Sequence, residues 1–234
     1  VTKEIRVLSG GAAQGLVTQL QARFADATGF GIQGTFGAVG AMRDKLLAGE
    51  PCDIVILTQA LVDQLAADGH VVKGSDTPLG RVKTGVAVKK GEPYPEVATA
   101  AALKSALLAA KGVYFPDPVK ATAGIHFMKV LKSLGIDGEL GPRLRPYPNG
   151  ATAMREMAQC AESGVIGCTQ VTEILYTPGV QLVGLLPPEF ELATIYTAAV
   201  CTRAREPSAA ADLIRMLAAD ETAGLRSAGG FEAL

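Results

Sequence analysis

The chain contains no tryptophan, two histidines and four cysteines, and aromatic residues make up only 5% of its 234 positions. It has no lysine/arginine tract and no series of stacking aromatics, and its formal net charge is −1. Nothing in it supplies the field or the stacking platform that nucleic acid requires, and nothing favours an anionic membrane surface. No apolar run reaches the roughly 18–20 residues that cross a bilayer, so the chain is not expected to be membrane-embedded. Cys52, Cys160, Cys168 and Cys201 form no CxxC pair, and His70 and His126 lie far from them in sequence. That argues against a zinc site, and no metal ligands are expected. Cys52 precedes an apolar strand and Cys201 lies in one, which suits small buried hydrophobes. Cys160 and Cys168 flank a helix end and a strand, which leaves a disulfide between them open.

What is present is a well-buried globular composition, with 48% apolar and 19% charged residues and a mean hydropathy of +0.26. The length suits one large or two modest domains. The first residue is Val1 rather than Met, from which a removed secretory signal is expected.

Along the chain, Ile5 to Leu8 reads as a strand closed by Ser9-Gly10-Gly11. A helix follows from about Ala13 to Ala27, with Leu16, Leu20 and Phe24 at helical spacing, and Thr28-Gly29 stops it. Gly31 to Gln59 reads as strand, Gly-rich turn, short helix and a second, wholly apolar strand, Ile54 to Leu57. The turn Phe36-Gly37-Ala38-Val39-Gly40 delivers backbone N–H groups to a helix start, which attracts anions. It carries no hydroxyl of its own before Met42. This β-α-β-α-β-α order points to a parallel α/β sheet with ligands at the carboxyl ends of its strands. A second unit begins with the strand Arg81 to Lys89. It continues with a helix over 100–110, a strand over 112–115, and a helix entered through Thr122-Ala123-Gly124. A short strand (Leu144 to Tyr147), a helix opened by Pro148-Asn149-Gly150 and a strand ending before Thr169-Gln170 follow. Val180 to Leu185 is a further strand. Phe190 to Cys201 is extended, and Ser208 to Ala218 is the last clear helix.

The opening IRVLSGGAAQGL, the block ATGFGIQGTFGAVGAMRDKLLAGEPCDIVILT, FPDP with ATAGIHF, the helix after PNGA and the segment IGCTQVTEI together resemble the type II periplasmic solute-binding proteins. The likeness is to their molybdate-binding branch and covers nearly the whole chain. The resemblance implies an α/β fold of two lobes with a ligand cleft between them. The lobes would comprise residues 1–81 plus 198–234 and residues 82–197, joined by two crossover strands. It also implies a metal-free periplasmic protein. Members of the branch hold their oxyanion with a serine after the first strand, a second serine in the next Gly-rich turn, and a tyrosine. Here those positions fall on Ala12, Val39 and the neighbourhood of Cys168. Without such donors a compact, desolvated dianion is poorly held.

The polar residues at strand ends form a dispersed set, suited to a polycarboxylate whose charges lie several ångströms apart. Ser9, Gly10, Gly11, Gln14, Val39, Gly40, Thr58, Thr122, Asn149, Gly150, Thr169, Gln170 and Arg81 are the candidate binding residues. Ser9 is also placed with His126 as catalytic. Bland readings stand beside these. Ser9 and Asn149 serve equally as helix caps, and Thr58 and Thr169 as ordinary strand ends. Arg143 and Arg145 suit surface charges, and Arg81 and Lys83 suit ion pairing. His126, in a first helical turn, is a helix-end histidine or a proton carrier. Keeping the fold without the molybdate hydroxyls resembles the aconitate isomerases, which interconvert cis- and trans-aconitate by an allylic 1,3-proton shift and need no cofactor. The alternative is a receptor that delivers a carboxylate or oxyanion to an ABC permease.

Overall fold

The computed structural model describes residues 3–234. The chain divides into two compact units, Val1–Val82 with Thr194–Leu234, and Lys83–Ala193.

The first unit opens with β1 (Lys3–Gly10), a single 3₁₀ turn, and α1 (Gln14–Thr28). Then come β2 (Phe30–Gly37), α2 (Val39–Leu47), β3 (Ile54–Thr58), α3 (Gln59–Ala67) and the start of β4 (Thr77–Lys89). Leu16, Val17, Leu20 and Phe24 line the buried stripe of α1. The helix ends where Gly29 takes the left-handed conformation at φ 74°, which a residue with a Cβ adopts only at a cost. β1 lies between β2 and β3 and is parallel to both, with Val7 opposite Gly34 on one side and Ile54 on the other.

In the second unit β4 is followed by α4 (Ala100–Ala109), β5 (Val113–Pro116), α5 (Thr122–Ser133), α6 (Asp137–Leu140) and β6 (Leu144–Tyr147). α7 (Gly150–Gln159), β7 (Ile166–Gln170), α8 (Val171–Tyr176) and β8 (Val180–Leu185) complete it. β5 is parallel to β6 and β7, while β4 is antiparallel to β7 and β8. Strand alternation sorts two cores. Phe115 packs on α5 with its ring centroid 5.5 Å from that of Phe127. Tyr114 faces the other way, among Met154 and Met157 of α7.

The chain returns to the first unit through β9 (Ala193–Val200), α9 (Pro207–Ala218) and α10 (Ala223–Ala228). β9 runs antiparallel to β3, Ile56 opposite Ala198. The sheets are therefore mixed rather than purely parallel. A wholly apolar strand such as β3 signals burial on both faces and says nothing of its neighbour's direction. The carboxylate of Asp53 ties these pieces together, accepting from the backbone N–H of Arg6 at 2.8 Å and of Arg205 at 2.6 Å.

The disulfide left open between Cys160 and Cys168 is not formed. Cys168 lies in the core beneath α5, whereas Cys160 packs with the core beneath α7. β7 runs on through Thr169 to Gln170, its last residue.

Candidate functional site

In the first unit the expected residues gather at the carboxyl ends of β1 and β3. Gly10 lies against the first residue of α2. A Cβ on Gly10 would stand 2.8 Å from Cγ1 of Val39 and 3.0 Å from Cε1 of Tyr196, so only glycine permits this approach. Tyr196 is buried and faces Thr58 in the β3–β9 register. Gly10, Val39, Thr58 and Tyr196 are thus brought together. Ala12 and Val39, at the positions where the resemblance places hydroxyls, are both buried.

Ser9 is completely buried and its hydroxyl donates to the carbonyl of Gly10 at 2.8 Å. It caps no helix. Gly11 is buried in the 3₁₀ turn, and Gln14, half-buried, begins α1. Gly40 is half-buried in the first turn of α2. The first turns of α2 and α3 have no side-chain cap, so Thr58 does not serve as one. The first turn of α3 is tied to β9 instead. Thr197 Oγ1 donates to Gln59 Oε1 at 2.6 Å, and Gln59 Nε2 donates to Asp63 at 2.7 Å. Arg81 lies away from this group along β4, exchanging backbone hydrogen bonds with Glu232.

In the second unit the carboxyl ends of β5 and β7 meet the starts of α5 and α7. Asn149 caps α7, its Oδ1 accepting from Thr152 N–H at 2.8 Å. Glu173, absent from the sequence reading, completes that helix start. Its Oε1 accepts from Ala151 N–H at 3.3 Å, and its Oε2 accepts from Thr169 Oγ1 at 2.5 Å. Gly150 sits so close to the Glu173 carboxyl and the Thr169 hydroxyl that a Cβ has no room. The backbone start at Gly150 therefore stands against an internal carboxyl. Burial pushes Glu173 above the usual carboxylate range, against the opposing pull of Thr169 and of the backbone at Ala151, Gln170 and Gly150. The one sequence signal for it was a lone acid in the apolar run Val171-Thr172-Glu173-Ile174-Leu175.

Gln170 ends β7 and is 2% exposed. Its Nε2 and Oε1 have no hydrogen-bond partner, and the same holds for the buried hydroxyls of Thr84 and Thr172. Thr84 of β4 stands directly opposite Gln170 in the antiparallel register. Buried amides and hydroxyls are nearly always paired, and an unpaired one costs about 1–3 kcal/mol.

α5 begins without a side-chain cap at Thr122, which is half-buried. His126, one turn on, is half-buried, and its Nε2 lies 2.8 Å from the carbonyl oxygen of Phe190. A carbonyl only accepts, so Nε2 carries the proton of this hydrogen bond. Arg143 and Arg145 are engaged elsewhere. Arg143 donates to the carbonyls of Leu108 and Ala110 at 2.7 Å each, and Arg145 pairs with Glu162 at 3.0 Å. Lys83 pairs with Glu191 at 3.0 Å. Among the described residues no group of three or more His, Cys, Asp or Glu is placed to hold a metal ion. No helix among them is long and apolar enough to cross a membrane.

A family model described as bacterial extracellular solute-binding protein matches residues 5–232. Over 230 residues the chain is 28% identical to an aconitate isomerase from a Pseudomonas species, covering 94% of this chain and 84% of that one. The periplasmic molybdate-binding protein of Azotobacter vinelandii superposes with a TM-score of 0.82 at 17% identity, covering 98% of this chain and 99% of that one. A sulfate-binding protein from Mycobacterium tuberculosis superposes with a TM-score of 0.76 at 16% identity, covering 99% and 87%. The α/β periplasmic-binding fold expected from the sequence is the fold these proteins share.

Proposed function

This chain belongs to the bacterial extracellular solute-binding proteins, and we propose that within that family it acts on an organic polycarboxylate, interconverting cis- and trans-aconitate. The observation that carries the reading is the Gln170 carboxamide, buried with neither polar atom paired, opposite Thr84 in the β4–β7 register, whose hydroxyl is equally unpaired, as is that of Thr172 in the first turn of α8. Three neutral hydrogen-bonding side chains in a buried place suit carboxylate oxygens, because a desolvated anion needs donors to replace lost water. The apolar Ala12 and Val39 weaken the case for a compact tetrahedral oxyanion. The likeness to an aconitate isomerase over nearly the whole chain supports the same substrate class.

The chemistry is an allylic proton shift. Nδ1 of His126 takes a proton from the methylene carbon of the substrate, and the charge spreads through the double bond onto a carboxylate. The amide of Gln170 and the uncapped first turn of α5 stabilise that charge. The proton then returns from Nδ1 to the other carbon, which completes the shift in the double bond. His126 is held for this by its Nε2–H bond to Phe190, which fixes both the tautomer and the ring orientation. No redox or organic cofactor enters this route. The protein is placed in the periplasm, as the family's extracellular character suggests.

A second reading, a receptor that hands a carboxylate or oxyanion to an ABC permease, is favoured by the family match itself. Incubating the purified chain with trans-aconitate and separating the isomers chromatographically, alongside calorimetric titration, distinguishes the two. Catalytic conversion supports the isomerase. Tight binding with no conversion supports the receptor and removes the isomerase.

A further inference from the structure

Cys52 and Cys201 lie 149 residues apart in sequence, yet the Cys201 thiol donates to the sulfur of Cys52 across 3.5 Å. Cys52 ends the loop before β3, and Cys201 follows β9. Ile54 stands opposite Val200, and Cys201 N–H donates to Asp53 O at 2.9 Å. That register sets Asp53 opposite Cys201 and Cys52 one residue along the diagonal, and it is the 3.5 Å between the two sulfurs that brings the pair within reach of a disulfide. Both side chains are buried in the core of the first unit. The Cys52 thiol also contacts Ile54 O at 3.0 Å and Arg6 O at 3.8 Å. Thiols are poor donors, so replacing these contacts by a covalent bond sacrifices little.

We propose that Cys52 and Cys201 are joined as a disulfide that staples the start of β3 to the end of β9. The bond closes a covalent loop holding the entire second unit, Lys83–Ala193. The family is extracellular, and oxidising compartments are where such bonds form and persist. The step needs a disulfide oxidant. The thiolate of Cys52 attacks one sulfur of the oxidant and expels its first thiolate. The thiolate of Cys201 then attacks the Cys52 sulfur of the mixed disulfide and expels the second. Two protein thiols lose two protons and two electrons, and the oxidant leaves as two thiols.

Timing follows from burial. The hydrogen bond to Cys52, and then desolvation, push the Cys201 thiol far above its ordinary range, so the folded, reduced pair reacts slowly. The bond forms while the chain folds and is then shielded from reductant. Cys160 and Cys168 do not compete, being split between the two faces of one sheet.

The test is to refold the full chain with glutathione disulfide, unfold it in guanidinium chloride with iodoacetamide, and map the peptides by mass spectrometry. Cys160 and Cys168 are expected to be alkylated, and Cys52 and Cys201 to appear as one linked pair. The reduced chain should melt lower by on the order of 10 °C, given the length of the loop. The Cys52→Ala, Cys201→Ala double variant should show no difference between oxidised and reduced samples. Four alkylated cysteines, or a link through Cys160 or Cys168, overturn the proposal. The mapping is done on the native sequence, so it stands whether or not a variant folds, and it is independent of any ligand.

Discussion

The hydroxyl of Thr169 donates to Oε2 of Glu173 across 2.5 Å, one turn apart at the junction of β7 and α8. The other carboxyl oxygen accepts from Ala151 N–H in the first turn of α7. An internal carboxyl thus joins three elements.

Removing that carboxyl should be expensive, and its titration should be visible. Glu173→Ala leaves buried donors at Thr169 and Ala151 without an acceptor, and a loss of about 2–4 kcal/mol is expected by denaturant melting. Glu173→Gln keeps an acceptor oxygen and should lose roughly 1 kcal/mol or less. The sign of the pH effect follows from the raised value in the fold. The native state holds the proton more tightly than the unfolded chain, whose carboxyl titrates near 4.5. Stability from this group is fully present below that pH and is lost as pH rises through the folded value. Melting curves of native protein and Glu173→Gln taken upward from pH 4.5 should diverge, with the variant gaining relative to the native chain. Parallel curves would show that Glu173 does not titrate as described.

Gln170 separates ligand binding from folding. Its amide is buried and unpaired, so Gln170→Leu should leave the unliganded protein as stable as before or slightly more so. The same change should weaken tricarboxylate binding roughly 10-fold or more, a hydrogen bond to a charged group being worth about 1.5–3 kcal/mol. Calorimetry and thermal melting on one sample check both. A variant that loses stability but keeps affinity would mean that Gln170 serves the fold alone.

The apolar residues at Ala12 and Val39 set what the first unit can grip. The native chain should bind molybdate weakly. Ala12→Ser with Val39→Ser introduces one hydroxyl in the 3₁₀ turn after β1 and one at the uncapped start of α2, and molybdate affinity should rise on the order of 10-fold or more. Tight molybdate binding by the native chain would show that backbone donors suffice there.

His126→Ala should lower kcat by roughly 100-fold or more, the usual contribution of a positioned general base, with KM changed only a few-fold. Its bond to Phe190 also makes a structural contribution, so melting is measured alongside. Unchanged kcat in a folded variant removes His126 from the mechanism.

Local signals were the legible part of this chain. The helical spacing of Leu16, Leu20 and Phe24 and the apolar run Ile54 to Leu57 gave elements close to α1 and β3, and Gly29 marked the end of α1 as observed. What escaped was set by contacts distant in sequence. β9 returns antiparallel to β3, which a both-faces-buried strand does not announce. Tyr196 meets Gly10 only because β9 lies beside β3. Cys201 meets Cys52 for the same reason. Glu173 drew no notice in the sequence because nothing local shows that α7 and β7 enclose it. Ser9, a candidate catalytic or ligand-binding residue or helix cap on local sequence, donates its hydroxyl to the carbonyl of Gly10.

The central claim is that this chain moves a proton within a tricarboxylate. Proton NMR of trans-aconitate in D₂O with the purified protein tests it most directly. The account predicts that cis-aconitate accumulates toward equilibrium in the presence of chelator. Its new methylene carbon should carry deuterium wherever the proton on Nδ1 of His126 exchanges with solvent before its return. A trans-aconitate signal that stays unchanged, while calorimetry shows the same ligand bound, would contradict it.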